Sequence, residues 1–216
     1  MSSSNYKTIV SESIGEFRDR GSKFLAYAYP IDTEAETHDW IELQRKAHPK
    51  ARHWCYAWRL GLDKNSYRAN DDGEPSGTAG RPILGQIDSA GLTNVLVIVV
   101  RYFGGTLLGT SGLIHAYRES AKEALQTAVV VEKTVLTFIH ISFDYGLMSD
   151  VMNALKKLSV EIFEKDFNEN ARITIGIPQD KVAETWLSFK ALVLKIDENE
   201  AATIEHIGGL KWDLVD

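Results

Sequence analysis

The stretch that decides the fold is Asn94-Val95-Leu96-Val97-Ile98-Val99-Val100-Arg101-Tyr102-Phe103-Gly104-Gly105-Thr106-Leu107-Leu108-Gly109-Thr110-Ser111-Gly112. Its first ten residues are almost continuously apolar. A strand with one wet face alternates apolar and polar residues, whereas a strand covered on both faces does not. Residues 94–103 therefore predict a central strand with protein above and below it. A glycine-rich loop follows. Beyond it Leu113, Ala116, Tyr117, Ala121, Ala124 and Leu125 recur at helical spacing. Strand, glycine loop and helix in that order is a common setting for an anion cradle. A helix N-terminus presents unpaired N–H groups and a partial positive charge. The loop lacks the Gly-Lys-Ser/Thr of a P-loop and the Gly-x-Gly-x-x-Gly of dinucleotide folds, and Leu107 and Leu108 are unusual in a phosphate cradle. Tight strand–helix packing is the competing reason for its glycines.

Upstream lies a second glycine loop, Asp71-Asp72-Gly73-Glu74-Pro75-Ser76-Gly77-Thr78-Ala79-Gly80-Arg81-Pro82. Nine of the sixteen glycines fall between Gly73 and Gly112, a density that implies special backbone geometry. Residues 82–89 predict a short helix with Pro82 in its first turn. Residues 52–60 predict a strand with Trp54, Tyr56 and Trp58 on one face. Residues 67–70 can pair with it through an Asp63-Lys64-Asn65 turn. Thr33 and Glu36 make a capping-box pattern that opens a helix through about Ala47. Its expected buried stripe is Trp40, Leu43 and Ala47, and His48-Pro49 stops it. Residues 6–10 and 23–29 predict strands.

A second unit is expected from about Val131, dividing the chain into 1–130 and 131–216. Val135, Thr137, Ile139, Ile141 and Phe143 mark the inward positions of a strand. Leu147, Val151, Ala154, Leu155 and Leu158 mark a helix. Two strands at 160–166 and 172–177 join through Asn168-Glu169-Asn170. Asp180 is placed to cap a helix carrying Val182, Trp186 and Phe189, and residues 202–207 close the set. The order is βαββαβ, the ferredoxin-like split βαβ pattern. The fold class is thus α+β.

Composition narrows the function. The net charge is −6 over 216 residues, but it is uneven. Residues 50–118 carry eight basic and five acidic groups, whereas residues 131–216 carry nine basic and fifteen acidic ones. The middle of the chain is the part that favours an anion. No apolar run approaches the roughly 20 residues that span a bilayer. The polar N-terminus and the single cysteine, Cys55, point to the cytoplasm, without a membrane partner.

Several residues are candidates for chemistry. Asp71, Asp72 and Glu74 lie within four residues and suggest oxygen ligands for Mg²⁺ or Ca²⁺. Turn capping and pairing with arginines are the competing roles. Arg81 sits at the first helix start, and Arg101 near the end of the strand before the second. His53 adjoins Arg52 and is a candidate base or phosphate ligand. His115 lies one turn into the helix after the second loop. Of Tyr102 and Phe103, either could stack on a base if exposed, and strand alternation makes one of them core. Cys55, among aromatics, reads as core. No zinc spacing, Gly-x-Ser-x-Gly elbow or obligatory catalytic carboxylate pair is present.

The two loops together are more specific than either alone. Residues 71–80 and 94–109, with Gly21-Ser22-Lys23-Phe24-Leu25 and His48-Pro49-Lys50-Ala51-Arg52-His53-Trp54-Cys55-Tyr56-Ala57-Trp58, closely resemble the signature of the Impact/YigZ family. The resemblance covers about residues 21–125. It implies an N-terminal domain with the βαβ-containing fold of a ribosomal small-subunit protein domain, shared with the fourth domain of translocation elongation factors. It also implies a ferredoxin-like C-terminal domain. Eukaryotic Impact proteins regulate translation by interfering with activation of an initiation-factor kinase and carry an additional N-terminal interaction domain. This sequence leaves no room for that domain, so the kinase role is not expected here. For bacterial members the usual proposal is nucleic-acid or ribosome binding. The chain departs from the pattern at Arg81, where lysine is common, at Ser111, where glycine is common, and at His115, where arginine is common.

Three functions follow as expectations. The first is a translation-linked binder of RNA or the ribosome, without DNA sequence specificity. Phosphate would meet Arg52, His53, Thr78, Arg81, Arg101, Tyr102, Gly104, Gly105, Gly109, Gly112 and His115. The second is an enzyme acting on a small phosphorylated or nucleotide ligand, with Mg²⁺ on Asp71, Asp72 or Glu74. The third is a regulator that works through protein partners alone.

Overall fold

In the computed structural model, which describes residues 4–63, 65–168 and 170–215, the apolar run lies in the middle of a five-stranded sheet. The chain divides into a unit Asn5–Lys133 and a unit of Ser4 with residues 134–215.

The first unit runs β1 (Asn5–Ile9), β2 (Ser13–Asp19), β3 (Ser22–Pro30), α1 (Glu34–Ala47), β4 (His53–Leu60), β5 (Ser66–Asn70), α2 (Gly80–Ser89), β6 (Val95–Tyr102), α3 (Gly109–Thr127) and β7 (Val130–Thr134). Its sheet order is β2-β3-β6-β4-β5, antiparallel throughout, and β1 pairs with β7 in a separate ribbon. Every residue from Val95 to Val100 is fully buried. Val95, Val97 and Val99 pack toward Ile83 and Ile87 of α2 and Ala116, Tyr117 and Ala121 of α3. Leu96, Ile98 and Val100 pack on the other face with Tyr29, Ile41 and Trp58. Burying such a side chain contributes about 1.5–3 kcal/mol, so this one strand ties together both cores of the unit.

Helix α1 starts as its caps dictate: Glu36 Oε1 accepts from Thr33 N at 3.0 Å, and His48 N closes the end on Gln44 O at 2.9 Å. Its buried face differs from the expected stripe. Thr37, Ile41 and Gln44 point inward, while Leu43 is 48% exposed. Trp40 explains the rotation, because it stacks flat on Tyr29 with ring centroids 4.0 Å apart, and Gln44 donates to the Tyr29 hydroxyl. Strand β2 was not expected. It is an edge strand of sequence SIGEFRD with polar residues interleaved, and Gly15 lets α3 lie on it, since a Cβ there would sit 2.3 Å from Ala124 N. The turn between β4 and β5 includes Lys64, outside the described residues, as does Glu169 of the 168–170 turn.

The second unit runs β8 (Leu136–Phe143), α4 (Met148–Lys157), β9 (Glu161–Phe167), β10 (Ala171–Pro178), α5 (Val182–Leu194), α6 (Glu198–Ala202) and β11 (Leu210–Leu214). The antiparallel order β11-β8-β10-β9 places the fourth strand beside the first and the third between the first and second, the ferredoxin-like arrangement. Ile139, Ile141 and Phe143 alternate inward, as the sequence predicts, onto Val151, Leu155 and Phe189. Two expectations need correction. The closing strand is Leu210–Leu214; within 202–207 the chain instead leaves α6, which Asp197 caps through Glu200 N at 3.0 Å. Asp180 does not cap α5. It pairs with Ser4, whose Oγ accepts from Asp180 N at 2.7 Å and donates back to Oδ1; these bonds hold the Asp180 carboxyl below the usual range. Among the described residues, no helix is long and apolar enough to cross a membrane.

Candidate functional site

The two glycine loops meet beyond the ends of β4 and β6. The first loop is organised by its own carboxylates. Asp71 Oδ2 accepts from Gly77 N at 2.8 Å, and Oδ1 accepts from Ala79 N at 3.0 Å and Gly80 N at 2.9 Å. The N-terminus of α2 is thus already occupied by an anion of the chain itself. Thr78 is spent in the same turn, its hydroxyl donating to Pro75 O at 2.6 Å. Asp72, at φ 42°, turns back toward β4 and accepts from Trp54 N at 2.7 Å and Arg45 Nη2 at 3.2 Å.

Glu74 goes the other way, into the interior. Its Oε1 accepts from Arg101 Nη1 at 2.6 Å and from the Tyr117 hydroxyl at 2.7 Å. The side chains of Arg101 and Glu74 are 6% and 4% exposed. Cys55 Sγ lies 3.3 Å from the Tyr117 oxygen, and burial pushes both the thiol and the phenol up, so each stays protonated. The three carboxylates therefore perform three separate tasks. Among the described residues, no three His, Cys, Asp or Glu side chains gather to hold a metal ion. The arrangement expected for Mg²⁺ on Asp71, Asp72 and Glu74 is not formed: Asp71 holds amides of its own loop, Asp72 holds Trp54 N and Arg45, and Glu74 Oε1 holds Arg101 and Tyr117.

His53 pairs across the sheet with Arg101, so both side chains project from one face. Its Nδ1 lies 2.8 Å from Asp72 O. A carbonyl only accepts, so Nδ1 carries the proton. Nε2 lies 3.9 Å from Glu74 Oε1. Arg52 is exposed, with its guanidinium 5.8 Å from the centre of the Phe103 ring.

These groups surround a cavity of about 460 Å³. Arg52, His53 and Arg101 form its cationic wall, and Glu74 lies beside them. Pro75, Phe103, Leu107, Leu108 and Leu113 form an apolar wall, which is the place of the leucines that look odd in a phosphate loop. Gly109 and Thr110, the start of α3, close it. This helix has no side-chain cap at its N-cap, Leu108, in contrast to the first turn of α2. Gly105 and Gly109, at φ 87° and 72°, have nothing within 4 Å of where a Cβ would stand, so their role is backbone conformation. Gly104 serves packing instead: a Cβ there would fall 2.0 Å from Gly21 C. Gly112 is less tight, a Cβ there standing 3.0 Å from Leu108 Cβ, a side-chain atom.

Three candidates lie elsewhere. Tyr102 faces the α1 side of the sheet, where its hydroxyl lies 2.8 Å from His48 Nδ1; His48 Nε2 in turn lies 2.8 Å from the Tyr27 hydroxyl. Arg81 is exposed in the first turn of α2, and His115 is exposed and packs edge-on against Phe17 at 5.4 Å. None of the three lines the cavity. Tyr117, Pro75 and Leu113 do join the site or its support without having been singled out for it. Tyr117 looked like one more residue of the helix stripe; its hydroxyl was the available clue. A larger depression of about 720 Å³ lies on the uncovered face of the C-terminal sheet. Three of its polar groups bond to one another, His140 with Thr174 at 2.9 Å and Thr174 with Glu164 at 3.2 Å, and Ile173 is the apolar residue in its lining.

Comparison with known proteins fits this architecture. The Impact N-terminal domain matches residues 20–125, and a domain of unknown function (DUF1949) matches residues 141–187. IMPACT family member YvyE of Bacillus subtilis is 36% identical over 77% of this chain and 76% of its own. IMPACT family member YigZ of Escherichia coli is 34% identical over 76% of this chain and 81% of its own. The crystal structure of a hypothetical protein, 29% identical, superposes with a TM-score of 0.66 over 98% of both chains. The likeness thus runs through both units and includes the two loops that build the cavity, and the chain belongs to the IMPACT family.

Proposed function

We propose that this chain is a translation-linked regulatory protein whose N-terminal unit binds RNA, with a phosphate at the start of α3 and a base against Phe103. One observation carries this reading. The uncapped N-terminus of α3 opens into a cavity beside Arg52, a cation without an ion-pair partner among the described residues. The first turn of α2 is filled by Asp71 and has no such need. A helix terminus and an arginine converging on one point suit a phosphate oxygen. An aromatic ring beside them suits a base, which stacks for about 1–3 kcal/mol. The cavity volume is that of a small-ligand site, so it holds about one nucleotide of a longer strand. The translational setting comes from the family.

The test is fluorescence anisotropy with single-stranded and hairpin RNA between about 50 and about 200 mM salt. Arg52→Ala should weaken binding for every sequence and reduce the salt slope by about one. Phe103→Ala should weaken it while leaving the slope unchanged. Binding that is absent at the lowest salt, or that neither substitution alters, would overturn the proposal.

A further inference from the structure

We infer that Glu74 selects ribose over deoxyribose, its free carboxylate oxygen accepting a hydrogen bond from the 2′-hydroxyl of a nucleotide in the cavity. This rests on the RNA reading above and adds to it the means of telling RNA from DNA. Oε1 of Glu74 is used twice, by Arg101 and Tyr117. Oε2 has no hydrogen-bond partner among the described residues, although the side chain is 4% exposed and lines the cavity. Arg101 Nε, in the same ion pair, is buried without a partner and out of a ligand's reach. What the pair leaves for a ligand is therefore the second carboxylate oxygen. A hydroxyl can donate to it.

The charge balance favours the same ligand. Arg101 offsets the charge of Glu74, so the carboxylate does not repel a phosphate held nearby by Arg52 and the start of α3. Yet a carboxylate accepts and never donates, so Oε2 needs a donor from the ligand. A phosphodiester has none. The 2′-hydroxyl of the same nucleotide is the donor nearest its phosphate, and DNA lacks it. The buried bonds to Arg101 and Tyr117 fix the carboxylate in place, so the selection requires no movement of the protein.

The experiment compares one sequence made with ribose, 2′-deoxyribose and 2′-fluororibose, titrated against the wild-type protein, Glu74→Gln and Arg52→Ala. Ribose should bind roughly tenfold tighter than deoxyribose, the scale of a hydrogen bond to a charged group. The 2′-fluoro strand accepts but does not donate, and should bind like deoxyribose. Glu74→Gln puts an N–H₂ donor in place of that acceptor and should lose the preference for ribose over 2′-fluororibose. If that variant does not fold, the three strands still decide the matter on the wild-type protein. Equal binding of ribose and deoxyribose that is lost in Arg52→Ala would overturn the inference and leave phosphate binding standing. A 2′-fluoro strand that binds as tightly as ribose would overturn it too. No binding of any strand would overturn both this and the RNA reading.

Discussion

Replacing Glu74 with leucine should unfold the N-terminal unit more readily than any other single change at the cavity. The magnitude follows from what the carboxylate holds. Arg101, 6% exposed in its side chain, would lose its ion-pair partner, and the fully buried Tyr117 hydroxyl would lose its acceptor. Breaking a buried pair by removing one member costs about 3–5 kcal/mol, and an orphaned hydroxyl adds about 1 kcal/mol. The sum is a large part of the roughly 5–15 kcal/mol that holds a domain together. Tyr117→Phe keeps the pair and should cost about 1–2 kcal/mol. The double change Glu74→Leu with Arg101→Met removes both charges and should recover most of the loss, because a well-packed apolar pair can replace a buried ion pair almost without cost. Hydrogen exchange of the β6 amides in increasing urea reads this unit alone. A loss below about 1 kcal/mol for Glu74→Leu, or a double variant no more stable than the single, would mean that water from the cavity solvates Arg101 and that the pair is not a structural element.

Two further outcomes are expected. Gly104→Ala should be far more damaging than Gly105→Ala, since its Cβ would meet backbone atoms at 2.0 and 2.2 Å while Gly105 has only its φ of 87° to defend; equal melting temperatures would show that the β2–β3 turn yields. Burial, and then the charge of Lys23, holds the His48 imidazole below its ordinary value. The unfolded chain therefore binds a proton near pH 6.5 that the folded one resists, so stability present above about pH 6.5 falls as the pH drops below it. His48→Gln should flatten that part of the melting-temperature profile, and parallel profiles for both proteins would refute the assignment.

Legibility in the sequence followed how local the cause was. Strand β6 was readable because burial on both faces removes all alternation. The alternation rule also set Tyr102 apart from Phe103: Tyr102 packs against the core on the α1 face, while Phe103 is exposed and lines the cavity. Strand β2 was not readable, because an edge strand with glutamate, arginine and aspartate carries little pattern. The rotation of α1 depends on Trp40 stacking on Tyr29 from another strand, a contact that no helical period contains. At the cavity the segments could be named but not the duties of their residues. Asp71 bonds amides six, eight and nine positions later, and Glu74 bonds residues 27 and 43 positions away. From sequence these neighbouring acids look equivalent; the fold sends each to a different task.

That division of labour is also why an acidic chain can be proposed to bind a polyanion. Of the charged groups near the cavity, Asp71 is consumed by α2, Asp72 by Trp54 and Arg45, and the charge of Glu74 is offset by Arg101. What remains toward the opening is Arg52 and the positive end of a 19-residue helix. The local field is therefore set by groups that the net charge of −6 does not describe. One arginine and one helix terminus hold one phosphate, not a long stretch of backbone. Affinity gained that way is modest, so discrimination must come from contacts that a phosphate cannot supply. In this cavity those are the Phe103 ring and the unpaired oxygen of Glu74. For that reason the choice between ribose and deoxyribose tests the proposed site more sharply than affinity does.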